Sequence, residues 1–210
     1  IERLVAELRP GMVVYDIGAE EGEFSALAAK IVGGGKVHLF EPVPEIWPNI
    51  RTVFGENDIG PGGCFVGFVG ARSAGVRGLV LNSWPNAAEG PIRKHSGFAV
   101  IHERPDLPTI TVDDYATASG TEPDVLMIDV EGAEVRTLLG ARETLARARP
   151  LVFVSIHPPG FLCQYGETRA EGAPRDEQEH VFRLMSETGY VGEFLGHDHE
   201  SHWLFTPREG

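Results

Sequence analysis

The sequence predicts an α/β fold: a mostly parallel sheet with helices on both faces that closes in a C-terminal antiparallel hairpin. Three observations predict it. Short apolar runs of strand length alternate with amphipathic stretches of helix length along most of the chain. The first strand ends in a glycine-bearing turn, and the second, one helix-length later, ends in an acid. The last two apolar runs, residues 190–195 and 202–206, are separated only by the polar turn Gly-His-Asp-His-Glu-Ser.

The elements follow in order. Ile1, Leu4, Val5 and Leu8 share one face of a short helix stopped by Pro10-Gly11. Residues 12–17 fit a buried parallel strand. Phe24, Leu27, Ala28 and Ile31 recur at i, i+3, i+4 and i+7, predicting a helix with that face on the sheet. Residues 36–40 are the second strand, 44–54 a helix and 64–69 the third strand. Residues 70–108, rich in Gly, Pro, Ser and Asn, break the rhythm; they hold strand-like pieces at 76–81 and 98–101 and are expected to cover the substrate side. Residues 110–115 lead into a fourth strand at 124–129. A helix over 134–147 turns Val135, Leu138, Leu139 and Leu145 inward, and a fifth strand occupies 151–156. A second irregular segment, 157–174, precedes a helix over 176–188 in which Val181, Leu184, Met185 and Thr188 share a face; Gly189 ends it.

The composition suits one domain spanning 1–210, with 42% apolar residues to build a core. A net charge of −13 and a pI near 5.0 argue against a nucleic-acid partner, because that affinity comes from Lys and Arg on phosphates. The same acidity also serves plain solubility. Two distant cysteines, Cys64 and Cys163, form no disulfide framework and suit a reducing cytoplasm. No run of about 18 apolar residues predicts a membrane span. The chain starts at Ile1 rather than Met, as a segment of a longer protein would, and shows no signal-peptide pattern.

The chemistry concentrates in residues 13–22, Val-Val-Tyr-Asp-Ile-Gly-Ala-Glu-Glu-Gly, and in Leu39-Phe40-Glu41-Pro42. Strand, glycine turn, helix, strand and acid make a βαβ nucleoside-binding unit, in which the Glu41 carboxylate accepts from both ribose hydroxyls. A dinucleotide pyrophosphate needs a helix end free of negative charge. Asp16, Glu20, Glu21 and Glu23 crowd this one and favour a ligand bearing an ammonium and a sulfonium. S-adenosylmethionine is such a ligand, and Asp-x-Gly-x-x-x-Gly is the first motif of enzymes that use it. A nicotinamide-dependent oxidoreductase is the alternative enzyme; a non-catalytic S-adenosylmethionine-binding module is the alternative outside catalysis.

Asp16-x-Gly-Ala-x-x-Gly22-x-Phe-Ser, Phe40-Glu41-Pro42, Thr111-Val-Asp-Asp114 and Met127-Ile-Asp-Val-Glu-Gly-Ala-Glu134 occur in that order. Over residues 10–156 the sequence resembles the FkbM family of S-adenosylmethionine-dependent methyltransferases. The resemblance implies a Rossmann-like seven-stranded sheet and O-methylation of hydroxyls on carbohydrate-like or polyketide-like small molecules. It also implies that Asp16 and the backbone of Gly18 and Ala19 hold the methionine portion, that Gly22 lets the helix approach, and that Glu41 binds the ribose. Adenine is expected near residues 69–72, at Gly70 and Ala71. Many relatives carry a glutamate at the end of the fifth strand, where this chain has Ser155-Ile156-His157-Pro158-Pro159.

An alcohol is a weak nucleophile at neutral pH, so a base or a metal should assist it. Asp129 and His157 fall at the ends of adjacent strands, and either could take the proton. Glu131 joins Asp129 as a base candidate, or as half of an Mg²⁺ or Ca²⁺ site with Asp113, Asp114 or Glu134; Asp129 with His157 is the other metal candidate. Glu131 and Glu134 equally suit the N-terminus of the following helix. In the cluster His197, His199 and His202, the first two, if the hairpin puts them on one face, could serve a transition metal with His157 or a carboxylate; histidines also simply occupy a solvated turn. Trp47, Trp84, Phe161 and Tyr165 are candidate substrate walls or core residues, and Cys163 is read as structural.

Overall fold

The computed structural model describes residues 1–92, 106–158 and 177–209. Its first half contains α1 (Glu2–Glu7), β1 (Val14–Ile17), α2 (Glu23–Val32), β2 (Val37–Phe40), α3 (Trp47–Glu56), β3 (Gly63–Phe65), β4 (Phe68–Val69), β5 (Val80–Leu81) and a 3-10 turn (Asn86–Glu89). Then follow β6 (Thr109–Ile110), α4 (Val112–Ser119), β7 (Val125–Ile128), α5 (Glu134–Leu139), α6 (Arg142–Arg147), β8 (Leu151–Ile156), α7 (Glu177–Glu187), β9 (Tyr190–His197) and β10 (Ser201–Pro207).

Eight strands form one sheet in the order β5-β3-β2-β1-β7-β8-β10-β9. The central five, β3 to β8 in that order, pair in parallel. β10 runs antiparallel to both β8 and β9, which gives the expected terminal hairpin, and β5 adds an antiparallel eighth strand beyond β3. Strand order reverses between β1 and β7, so the crevice of the sheet opens past Ile17 and Ile128. Two apolar clusters cover the two faces. Residues of α1, α2 and α3 pack one side; residues of α4, α5, α6 and α7 pack the other.

Several expectations shift. The sheet-facing side of α2 is Ser25, Ala26, Ala28, Ala29 and Val32, while Phe24 is 52% exposed. Small side chains let a helix lie close on a sheet, and Ser25 must face inward to donate to Asp16. The expected third strand divides: β3 joins the main sheet and β4 pairs with β6 in a separate two-stranded sheet. Gly67 sits at the break, where a Cβ would come within 2.4 Å of the Pro108 carbonyl oxygen. The expected helix over 134–147 is two helices, because Gly140 packs its backbone on Gly70 and a Cβ there would lie 2.1 Å from the Gly70 oxygen. The expected strand at 98–101 lies outside the described residues.

α6 is started by a side chain from elsewhere. Asp113 accepts from the Thr144 N–H at 2.7 Å and from the Glu143 N–H at 3.1 Å, supplying the cap that Ala141 lacks. Asp113→Ala is therefore expected to cost about 1–2 kcal/mol and to lower the midpoint of thermal unfolding by roughly 2–8 °C, read by circular dichroism. An unchanged midpoint would remove this role.

Candidate active site

One half of the crevice is built by the turn after β1. Gly18 and Ala19 donate their N–H groups to the Phe40 carbonyl at 2.9 and 3.1 Å, lashing the turn to the end of β2. Glu20 then enters the left-handed region (φ 46°) and donates its N–H to Glu41 Oε2 at 3.1 Å. Glu41 Oε1 accepts from Val43 N–H at 2.8 Å. Its carboxylate is thus turned back toward the glycine turn and held rigidly. Asp16, the third residue of β1, is buried and accepts from the Ser25 hydroxyl. Burial pushes the Asp16 carboxyl up to about 7, although the Ser25 hydroxyl works against it. Burial also raises Glu41 to about 7; the Val43 and Glu20 N–H groups oppose this, while the Glu20 and Asp16 carboxylates add to it.

The other half follows β7 and β8. Gly18 fills no pocket for a ligand at its own Cα: a Cβ would stand 1.7 Å from the Asp129 carbonyl oxygen. The glycine therefore lets the β1 turn rest directly on the start of the 129–133 turn, and Asp129 N–H closes the contact on the Ile17 carbonyl at 3.0 Å. Glu131 (φ 55°) and Gly132 (φ 98°) complete that turn in the left-handed region. Its side chains converge on His157, which is buried at the end of β8. His157 Nδ1 lies 2.7 Å from Glu134 Oε1; its Nε2 lies 2.7 Å from Glu200 Oε2, 3.2 Å from Glu131 Oε2 and 3.9 Å from Asp129 Oδ1.

Electrostatics separate the roles of these groups. Burial alone would strip His157 of its proton, but hydrogen bonds to Glu131, Glu134 and Glu200 prevail and push it up to about 12. The imidazole already carries a proton at neutral pH and has both nitrogens engaged, so it is not placed to accept another. Burial likewise works against the charge of Glu200, yet its hydrogen bond to His157 holds that carboxyl below the usual range. For Asp129, desolvation in this crowd and then the Glu200 carboxylate act in the opposite direction, raising it to about 7, with His157 partly offsetting. Because 47% of the Asp129 side chain is exposed, water on its open flank tempers that rise. It remains the carboxyl group with both a neutral-range midpoint and an open face.

The FkbM methyltransferase domain matches residues 16–191, most of the chain. The chain belongs to the FkbM methyltransferase family. The FkbM methyltransferase of Methylobacillus flagellatus superposes with a TM-score of 0.60 at 15% identity, covering 96% of this chain and 45% of that one; the chain thus spans under half of that protein's length. Precorrin-6y C5,15-methyltransferase from Geobacter metallireducens gives a TM-score of 0.52 at 12% identity over 99% and 87% of the two chains. A putative rRNA methylase from Clostridium thermocellum gives 0.52 at 10% identity over 100% and 94%. At these identities the likeness establishes the fold. No curated protein matches.

Within this FkbM domain the remaining candidates take other places. Gly22 (φ 84°) brings α2 against α3, where a Cβ would meet Ile50 at 2.9 Å. Gly70 is buried against Thr109 and Gly140, and Ala71 is exposed beyond it. Asp113 caps α6 and Asp114 accepts from Ser73, so neither joins Asp129. Trp47 is wholly buried and donates to the Glu41 carbonyl at 3.1 Å, and Trp84 packs edge-on against Phe54. Phe161, Tyr165 and Cys163 lie outside the described residues. His199 is exposed beside Asp198, and His197 faces Ser201. The hairpin residue that reaches His157 is Glu200, passed over in the sequence because a glutamate in a polar turn looks solvated. Its only linear signal is its place among three histidines. It also lies past residue 191, beyond the family match.

Proposed function

We propose that this domain uses S-adenosylmethionine to methylate a hydroxyl of a carbohydrate-like or polyketide-like small molecule, with Asp129 receiving the hydroxyl proton. One observation carries the reading. Two buried carboxyl groups, Asp16 and Glu41, flank the glycine turn on one side of the crevice, and through Gly18 that turn rests on the backbone carbonyl of Asp129, whose side-chain carboxyl is about half exposed on the other.

The donor set fits the nucleoside. Asp16 offers a buried anion to an ammonium, and each Glu41 oxygen spends one lone pair on a backbone N–H and keeps another for a ribose hydroxyl. The Gly18 and Ala19 N–H groups are committed to the Phe40 carbonyl and hold the turn in place. S-adenosylmethionine supplies a methyl group on a cationic sulfur. Asp129 and Glu131, each about half exposed at 47% and 48%, are acceptor-only groups that hold and orient hydroxyls while repelling phosphates. His157, fixed between Glu134 and Glu200, sets the directions of these carboxylates. Among the described residues no helix is long and apolar enough to cross a membrane.

The test is calorimetric titration with S-adenosylhomocysteine and with NADH at pH 6 and pH 8. Asp16 and Glu41 are protonated below about 7 and ionised above it, and the amino and hydroxyl groups of the nucleoside need the ionised forms. Affinity should therefore rise with pH, by about tenfold for one group and up to about a hundredfold for both. NADH should give no heat. Heat from NADH alone would overturn the reading, and a pH-independent affinity would take Asp16 and Glu41 out of it.

A further inference from the structure

We propose that the acidic end of the sheet binds one first-row divalent ion, Mn²⁺ or Zn²⁺, through His157 Nε2, Asp129 and Glu200, with Glu131 alongside. This deepens the methyl-transfer reading and rests on taking that end as the acceptor side.

The geometry is that of a histidine ligand prepared from behind, the ion taking the place of the Nε2 proton, which is released to solvent. His157 is buried, and its Nδ1 is fixed on Glu134 Oε1 at 2.7 Å, which aims Nε2 at the three other carboxylates. A carboxylate on the far ring nitrogen is the usual support of a metal-binding imidazole. The candidate ligand atoms of Asp129, His157 and Glu200 all lie within 4.8 Å of one another. An ion about 2.1 Å from each ligand needs neighbouring ligand atoms roughly 3–3.5 Å apart, so the 2.7 Å contact from Nε2 to Glu200 must open slightly and the 3.9 Å contact to Asp129 close slightly.

A second observation is independent of those distances. Glu134 is wholly buried, and its Oε2 has no hydrogen-bond partner among the described residues. A buried carboxylate with an unsatisfied oxygen needs positive charge close by. Four carboxyl groups face His157, and one imidazole cannot balance them all. Glu200 is also buried, although a hairpin turn offered it water. One nitrogen with carboxylate oxygens suits Mn²⁺ or Zn²⁺ better than the all-oxygen shells of Mg²⁺ or Ca²⁺.

Such an ion would make an acceptor hydroxyl more acidic, while monodentate Asp129, ligating through Oδ1, leaves its other oxygen for the proton. The exposed group Asp198, Glu200 and His202 is the competing location, since its ligand atoms are also close together.

The experiment titrates the full chain, freed of metal with EDTA and exchanged into chelator-free buffer, with Mn²⁺ by electron paramagnetic resonance and with Zn²⁺ by calorimetry. One ion per chain is expected, with affinity falling at least about tenfold in Glu200→Gln and in Asp129→Asn and unchanged in Asp198→Asn. Circular dichroism confirms that each variant is folded. No binding by the parent chain overturns the proposal, and so does loss in Asp198→Asn with retention in Asp129→Asn. Methyl transfer by a chain that binds neither ion sinks this proposal and leaves the transfer reading intact. Ion binding with no transfer to any hydroxyl does the reverse.

Discussion

Asp129→Asn is expected to slow methyl transfer by about 10²–10⁴-fold while leaving the affinity for S-adenosylhomocysteine unchanged. The substitution keeps the shape of the side chain and the backbone contact with Gly18 and removes the charge that takes the proton and that would also ligate a divalent ion. Among the described carboxyl groups beside His157, Glu134 is sealed, Glu200 is held ionised by the imidazolium, Glu131 is turned onto His157 Nε2 at 3.2 Å, and Asp129 combines an open face with a midpoint raised to about 7. The sign of the pH dependence follows. The ionised form is the active one, so at saturating S-adenosylmethionine the parent rate should climb as pH rises through about 7 and level off above, whereas the variant should lack that limb. Initial rates between pH 5.5 and about 9, with the product followed by mass spectrometry, give both readings. A variant within about threefold of the parent would remove Asp129 from proton transfer.

Gly18→Ala is expected to cost more than about 3 kcal/mol and to lower the unfolding midpoint by at least roughly 6–12 °C. Two penalties combine. The residue sits at φ 91°, where an L side chain is strained by about 1–2 kcal/mol. The new Cβ would also fall 1.7 Å from the Asp129 oxygen and 2.8 Å from its carbonyl carbon. Neither strand can retreat, because Asp129 N–H is bonded to Ile17 and Gly18 N–H to Phe40. Gly33→Ala is the control. It has φ 105° but nothing within 4 Å of a Cβ, so it should show only the backbone penalty. Equal midpoints for the two variants would mean that the turn does not rest on Asp129 as described.

The end proposed for the nucleoside could be assembled from sequence because its residues are contiguous: Asp16, Gly18, Gly22 and Glu41 lie within a single βαβ unit, and each has a local reason to be there. The reasons were read less well than the residues. Gly18, expected to hold the methionine portion with its backbone, is also a place where two strand ends meet. The face of α2 was misjudged because hydrophobicity ranks Phe24 above Ala29, whereas close packing on a sheet ranks them the other way. Trp47 looked available for stacking and is core, because its indole N–H finds the Glu41 carbonyl. The charge cluster was half legible. Asp129 and His157 were marked by the strand ends, but Glu134 and Glu200 meet them only through three-dimensional packing, across 23 and 43 residues of sequence from His157.

The two ends of the crevice therefore differ in how easily they can come apart. The Asp16 and Glu41 side depends on one short stretch of parallel pairing, whereas Glu200 is delivered by a hairpin whose outer strand, β9, lies at the edge of the sheet among the described residues. Hairpins at a sheet margin open at lower free energy than its centre. Undocking that hairpin would release His157 Nε2 from Glu200 while leaving the Asp16–Ser25 and Glu41–Val43 contacts in place.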